Sequence, residues 1–218
     1  GRYLVRSNGV PFIPIGHNYC WPGANATLDK MILALRRMAS ARVNTTRVWL
    51  CSWGLGIEGT SPDHYRLDRA WQLDRLFQAA QAAGIRVQLC LDNLTDLTSP
   101  EKIRTNPYFA YSGGPCRKPA DFFSSPKAHA QLQRRLRYLV ARYAPYRSLL
   151  AWELFNEIAY AVPKSARPAA LDWTRRTASW LRHHDPYRHP ITIGIGLSDD
   201  WTAPWELPEV DIAQPHIY

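Results

Sequence analysis

The chain has 218 residues, 46% of them apolar and 21% charged, which excludes a disordered polymer and allows one sizeable folded core. No apolar run approaches the ~20 residues that cross a bilayer. No leader is visible at Gly1-Arg2-Tyr3, as in a chain whose signal has been removed or that begins inside a longer protein. The formal charge of +9 admits an anionic partner, but arginines such as those in Gln133-Arg134-Arg135-Leu136-Arg137 alternate with apolar positions as on the solvent face of an amphipathic helix, so a nucleic-acid surface ranks last.

In chain order, Ser7-Asn8-Gly9 between two strand-like runs predicts a hairpin over about 2–15, its second arm running through Phe12-Ile13-Pro14-Ile15-Gly16 into a polar, aromatic end at His17-Asn18-Tyr19-Cys20-Trp21. Thr27 is placed to cap a helix through about Ala41, with Leu28, Met31, Leu35 and Met38 on one face. A β-branched strand, 43–50, follows. A second helix spans about Leu67 to Ala83, with Leu67, Ala70, Trp71, Leu73, Phe77 and Ala80 facing inward and Gly84 as its terminating residue. The third strand is 85–92, and a long Thr-, Ser-, Gly- and Pro-rich loop covers 93–126. A third helix covers about Lys127 to Tyr143. The apolar run Leu149 to Phe155 reads as a buried strand that ends in Asn156-Glu157. A fourth helix, 166–183, a fifth strand, 190–196, a loop carrying Asp199, Asp200, Trp201 and Trp205, and a sixth strand, 210–218, complete the chain. Cys20, Cys51, Cys90 and Cys116 lack paired CxxC spacing, so no metal site is expected; a Cys20–Cys51 bridge across neighbouring strand ends is geometrically open.

Alternating strands and helices imply a parallel α/β fold. With no GxGxxG or P-loop after the first strand, a barrel is favoured over a doubly wound nucleotide-binding sheet, and no cofactor is implied. A (β/α)8 TIM barrel needs eight strands and ~250 residues. The reading is therefore a single catalytic barrel domain over 1–218 with only its first six strands, C-terminally incomplete.

Polar groups gather at the ends of several strands: Asn18, Arg47, Asp92, Asn156, Glu157, His216 and Tyr218. Singly, each has a structural explanation; Arg47, for instance, is placed to pair inside the barrel with Glu153, which shares a strand face with Glu157 by the period of two. Jointly they sit where parallel barrels carry their chemistry. Glycoside hydrolysis needs a carboxylic acid that protonates the leaving oxygen and a second carboxylate. Glu157 suits the first task, Asn156 a sugar hydroxyl, and Arg47 a carboxylate that must stay ionised. His216 and Tyr218 suit positioning, and Trp residues near the mouth suit pyranose stacking.

Pro11-Phe12, Gly16-His17-Asn18-Tyr19, 43–49 with Arg47 and Trp49, 121–126, Trp152-Glu153-Leu154-Phe155-Asn156-Glu157 and His216-Ile217-Tyr218 together resemble the clan A glycoside hydrolases, specifically family 5 and its cellulase- and mannanase-like members. The resemblance implies a retaining mechanism with Glu157 as acid/base and with Arg47, Asn156, His216 and Tyr218 supporting it; Asn18, Trp21, Trp49 and Asn93 are further expected substrate contacts. In that family the nucleophile is a Glu ending the seventh strand, and no residue here matches it. Mannanases also tend to carry a Trp after the third-strand Asn, where this chain has Leu94. The expected function is hydrolysis of O-glycosidic bonds in a secreted, carbohydrate-degrading enzyme, β-mannan ahead of β-glucan. A non-catalytic carbohydrate-binding barrel is the alternative, and a basic polyanion-binding module the third reading.

Overall fold

A computed structural model describes residues 3–22, 27–196 and 201–217. Six strands lie parallel in the order β1-β2-β3-β4-β5-β6: Gly16–His17, Thr45–Trp49, Arg86–Cys90, Leu149–Glu153, Ile191–Gly196 and Ile212–His216. Each strand pairs with the next in sequence, with Arg47 opposite Gln88, Cys90 opposite Glu153, Glu153 opposite Thr192 and Gly194 opposite Gln214. Helices α1 (Leu28–Ser40) and α2 (Leu67–Ala82) make the first two crossovers. Four helices join β3 to β4: α3 (Leu94–Thr98), α4 (Pro100–Thr105), α5 (Pro119–Ser124) and α6 (Pro126–Tyr143). Then α7 (Ile158–Ala161) and α8 (Arg167–His184) join β4 to β5. The Gln88 amide on β3 donates to the Gln214 carbonyl on β6 at 2.8 Å. Strands three places apart in the order thus touch across an interior, so the sheet curls as the wall of a (β/α) barrel.

Local chemistry sets the helix ends. Thr27 Oγ1 accepts from Lys30 N at 3.4 Å, with Asp29 in the first turn and Arg37 in the last, matching the helix dipole. Ser125 accepts from Ala128 N and is followed by Pro126 at the first helical position of α6. Gly84 takes φ +72° after α2, a left-handed turn that a side chain would resist. On α6 the buried stripe Leu132, Leu136, Leu139, Val140 and Tyr143 keeps the three-to-four-residue spacing of an amphipathic helix. Phe122 and Phe123 of α5, Trp173 of α8 and Phe155 after β4 form one aromatic cluster, with centroids 5.3–6.1 Å apart. That cluster pins the chain immediately before Asn156.

Several sequence expectations need correction. The N-terminal hairpin forms its turn (Gly9 N donates to Arg6 O, Arg6 N to Val10 O), yet among the described residues it makes one antiparallel bridge, Val5 with Pro11, and the first barrel strand shortens to Gly16–His17. Leu67 and Trp71 point outward, because the stripe that α2 buries runs through Ala70, Leu73, Leu76, Phe77 and Ala80. The segment 93–126 is no structureless loop: Asn93, Ser99 and Lys118 each start a short helix, two of them through a following proline. All four cysteines are free thiols, so Cys20 and Cys51 are not bridged. Burial pushes the Cys20 thiol up to about 11 and those of Cys51 and Cys116 up to about 12, which keeps them protonated and unreactive at neutral pH. Among the described residues no helix is long and apolar enough to cross a membrane.

Candidate active site

The strand that carries the proposed acid stops earlier than its apolar run suggests. β4 ends at Glu153, and 154–156 continue as extended chain held on both sides. Leu154 N donates to Thr192 O and Gly194 N to Phe155 O on one side; Leu91 N donates to Glu153 O and Asn156 N to Asp92 O on the other. Glu157 then turns into the left-handed region at φ +58°, ψ 48°, and starts α7. A non-glycine residue there costs on the order of 1–3 kcal/mol and persists only where its surroundings impose it. The alternation that would put Glu153 and Glu157 on one strand face is broken by this turn. Glu153 points into the barrel, fully buried, while the Glu157 side chain stays partly open.

The interior below the mouth is a continuous hydrogen-bonded network. Arg47 Nε donates to Glu153 Oε2 at 2.6 Å, its Nη2 also engages Glu153 Oε1, and Nη2 donates to Asn156 Oδ1 at 2.8 Å. Gln88 Nε2 donates to Glu153 Oε2 and to Gln214 Oε1, both at 2.8 Å. Gln214 Nε2 lies 3.1 Å from His216 Nε2, and His216 Nδ1 lies 3.1 Å from Glu157 Oε1. Burial opposes the charge on Arg47, but the Glu153 carboxylate outweighs it and holds the guanidinium protonated. Gly194 makes room for this crossing: a Cβ there would stand 2.8 Å from His216 Nε2 and 3.1 Å from Glu153 Oε1.

Above the network opens a pocket lined by Asn18, Tyr19, Cys20, Trp21, Arg47, Trp49, Asn156 and Glu157. Among the described residues Glu157 is the one carboxylate that lines it. Trp21 packs on Trp49 with centroids 4.9 Å apart and on Trp53 at 5.6 Å, and the Arg47 guanidinium sits 5.0 Å from the Trp49 ring centroid. The mouth therefore offers flat aromatic faces beside one partly exposed carboxylate.

The structure brings together Asn18, Trp21, Arg47, Trp49, Asn156, Glu157 and His216 of the residues singled out from the sequence. Asn93 is a correction. It is buried, its Oδ1 accepts from Asp96 N at 3.0 Å and its Nδ2 donates to Asp96 Oδ2 at 2.7 Å, so its amide is used in starting α3 and it is not among the residues lining the pocket of Glu157. Tyr218, Asp199 and Asp200 lie outside the described residues. Asp92 is bound to Arg135 at 2.5 Å, and Arg135 also reaches Glu58 at 2.9 Å, forming a buried ion cluster away from the mouth. Gln88, Gln214, Trp53 and Gly194 were missed. The two glutamines had a signal: each is a polar residue on the same strand face as a residue two places on, Gln88 two before Cys90 and Gln214 two before His216.

No family model matches the chain. It is 24% identical to mannan endo-1,4-beta-mannosidase A of Emericella nidulans over 99% of its own length and 61% of that protein's. The exo-beta-1,4-mannosidase of an Opitutaceae bacterium superposes on 98% of the chain with a TM-score of 0.73 at 23% identity, the chain covering 40% of that enzyme. A glycoside hydrolase family 5 mannosidase from Rhizomucor miehei superposes on 95% of the chain with a TM-score of 0.66 at 16% identity, the chain covering 58% of it. The chain thus spans less than two thirds of the length of these relatives; across almost all of its own length it is similar in sequence to a mannan endo-1,4-beta-mannosidase and shares its fold with solved mannosidases, one of them of glycoside hydrolase family 5.

Proposed function

We propose that this chain carries the acid/base half of a retaining glycoside hydrolase that cleaves O-glycosidic bonds in β-linked mannan, in an enzyme that works outside the cell. The observation that carries the reading is Glu157. A strained backbone and the His216 contact hold its carboxylate at a pocket walled by Trp21 and Trp49. Its proton would go to the leaving glycosidic oxygen, and the resulting carboxylate would then activate water. Asn156, whose Oδ1 is held by Arg47, keeps its amide N–H groups for a sugar hydroxyl. The tryptophans would stack on pyranose faces, with Asn18 at the rim. Glu153, saturated by Arg47 and Gln88, is unsuited to nucleophilic attack. The nucleophile is assigned to a residue outside the described ones, about 5 Å from Glu157 as retaining geometry requires.

The full-length enzyme that carries this chain together with its nucleophile should release reducing ends from β-mannan faster than from β-glucan or xylan. Glu157→Gln should lower kcat on the polymer about 10²-fold or more while leaving the thermal unfolding midpoint near wild type. Wild-type turnover by that variant would remove Glu157 from its role. Substrate binding without turnover by the full-length wild-type protein would favour a carbohydrate-binding barrel.

A further inference from the structure

We propose that Gln214 is a positioning residue that sets the tautomer of His216, so that His216 presents its Nδ1–H to Glu157. The inference deepens the reading of Glu157 as acid/base and rests on it for its catalytic consequence, though not for its chemistry. The argument starts at Glu153. Held by Arg47, its carboxylate is an acceptor only, so the Gln88 group 2.8 Å from Oε2 is the amide nitrogen; the flipped amide would set oxygen against oxygen. The second N–H of Gln88 then points at Gln214, whose near atom, 2.8 Å away, is the carbonyl oxygen. The far side of the Gln214 amide is its nitrogen, 3.1 Å from His216 Nε2, which must accept. In a neutral imidazole the proton then lies on Nδ1, 3.1 Å from Glu157 Oε1.

Gln88 is the source of both directions: one N–H donates back to Glu153, and from the other the donors run outward through Gln214 and His216 to Glu157. The consequence is a division of labour within the Glu157 carboxyl. Oε1 is occupied as an acceptor from His216, so when Glu157 is protonated the acidic hydrogen belongs on Oε2. Neither glutamine lines the pocket that holds Glu157; both line the adjoining cavity beside Asn18, Arg47 and His216, and the bond of Gln214 to His216 is its route to Glu157. Gly194 is part of the device, since any side chain there would intrude on His216 Nε2.

The test is 15N NMR of histidine-labelled whole protein at neutral pH, with the His216 signals identified by their loss in His216→Gln. Wild type is expected to show a protonated Nδ1 and a bare Nε2. Gln214→Glu, which can only accept at that position, should place a proton on Nε2. Gln214→Leu should let the imidazole redistribute between tautomers. With mannan as substrate, Gln214→Leu should lower kcat about tenfold with little change in KM, a fraction of the 10²–10⁴ that a positioned proton donor contributes. A protonated Nε2 in wild type, or an unchanged tautomer in Gln214→Glu, would overturn the proposal. The wild-type spectrum decides this even if a variant fails to fold. The spectra need no substrate, so an expected tautomer pattern in a protein inactive on mannan would retire the hydrolase reading and leave the relay standing.

Discussion

At the scale of single residues, the dominant fact is that a fully buried carboxylate, Glu153, stands beneath a partly exposed one, Glu157. The buried one is stable as an ion only because Arg47 and Gln88 replace the water it lost. Such a pair adds little net stability over an apolar pair of equal shape, but breaking it strands a charge. Arg47→Met is therefore expected to destabilise the fold by about 3–5 kcal/mol in chemical denaturation, and to free the Asn156 amide as well. A loss below about 1 kcal/mol would mean that water or another cation reaches Glu153 in the variant. The pairing of Arg47 with Glu153 was legible from strand periodicity. The turn at Glu157 was not, because a left-handed glutamate has no local sequence signal and is imposed by hydrogen bonds from neighbouring strands.

At the scale of elements, β5 is the strand on which the site depends. All six of its residues are buried, and its glycines give the room that larger residues would deny. Gly194→Ala is expected to cost about 1–3 kcal/mol by overpacking against His216 and Glu153. The same change should reduce turnover on mannan more than Ile193→Val, a substitution on the opposite face of the strand. Equal effects of the two would show that the crossing tolerates a methyl group. The helices α1, α2, α6 and α8 were read from their apolar spacing to within a residue or two, since that spacing is a property of each segment alone. The short helices within 93–126 escaped because helices of five or six residues have too few turns to show a period; caps and prolines were their marks.

At the scale of the whole molecule, two buried carboxyls on opposite sides of the balance shape stability against pH. Burial alone would push the Asp185 carboxyl up, but His189 and Trp152, together with the Tyr187 backbone N–H, donate to it and hold it at about 2, below its ordinary 3.8. Its contribution is complete above pH 3.8 and is lost as pH falls through about 2. Burial pushes Glu58 up to about 7 from an ordinary 4.5, against the pull of Arg135, so its contribution is complete below 4.5 and is lost as pH rises through about 7. Between them these groups predict a stability maximum near pH 4–5 in the thermal unfolding midpoint. Glu58→Gln should flatten the neutral limb and Asp185→Asn the acid limb. A midpoint that rises from pH 5 to 8 in wild type would contradict the Glu58 assignment. Several of the basic residues behind the +9 charge are held in surface pairs such as Arg134 with Asp63 and Arg142 with Asp74 on α6 and Arg176 with Asp172 on α8.

The sequence by itself determined the alternation of strand and helix, the parallel barrel architecture, and the set of strand ends at which polar residues would meet. Those follow from periodicity and apolar runs, which each segment carries alone. Only the tertiary structure decided that Asn93 starts a helix instead of facing the pocket, that the cysteines stay apart as thiols, and that Gln88 and Gln214 link two distant strands. These depend on which side chains come within about 3 Å across the barrel, a distance set by sheet curl and strand register together.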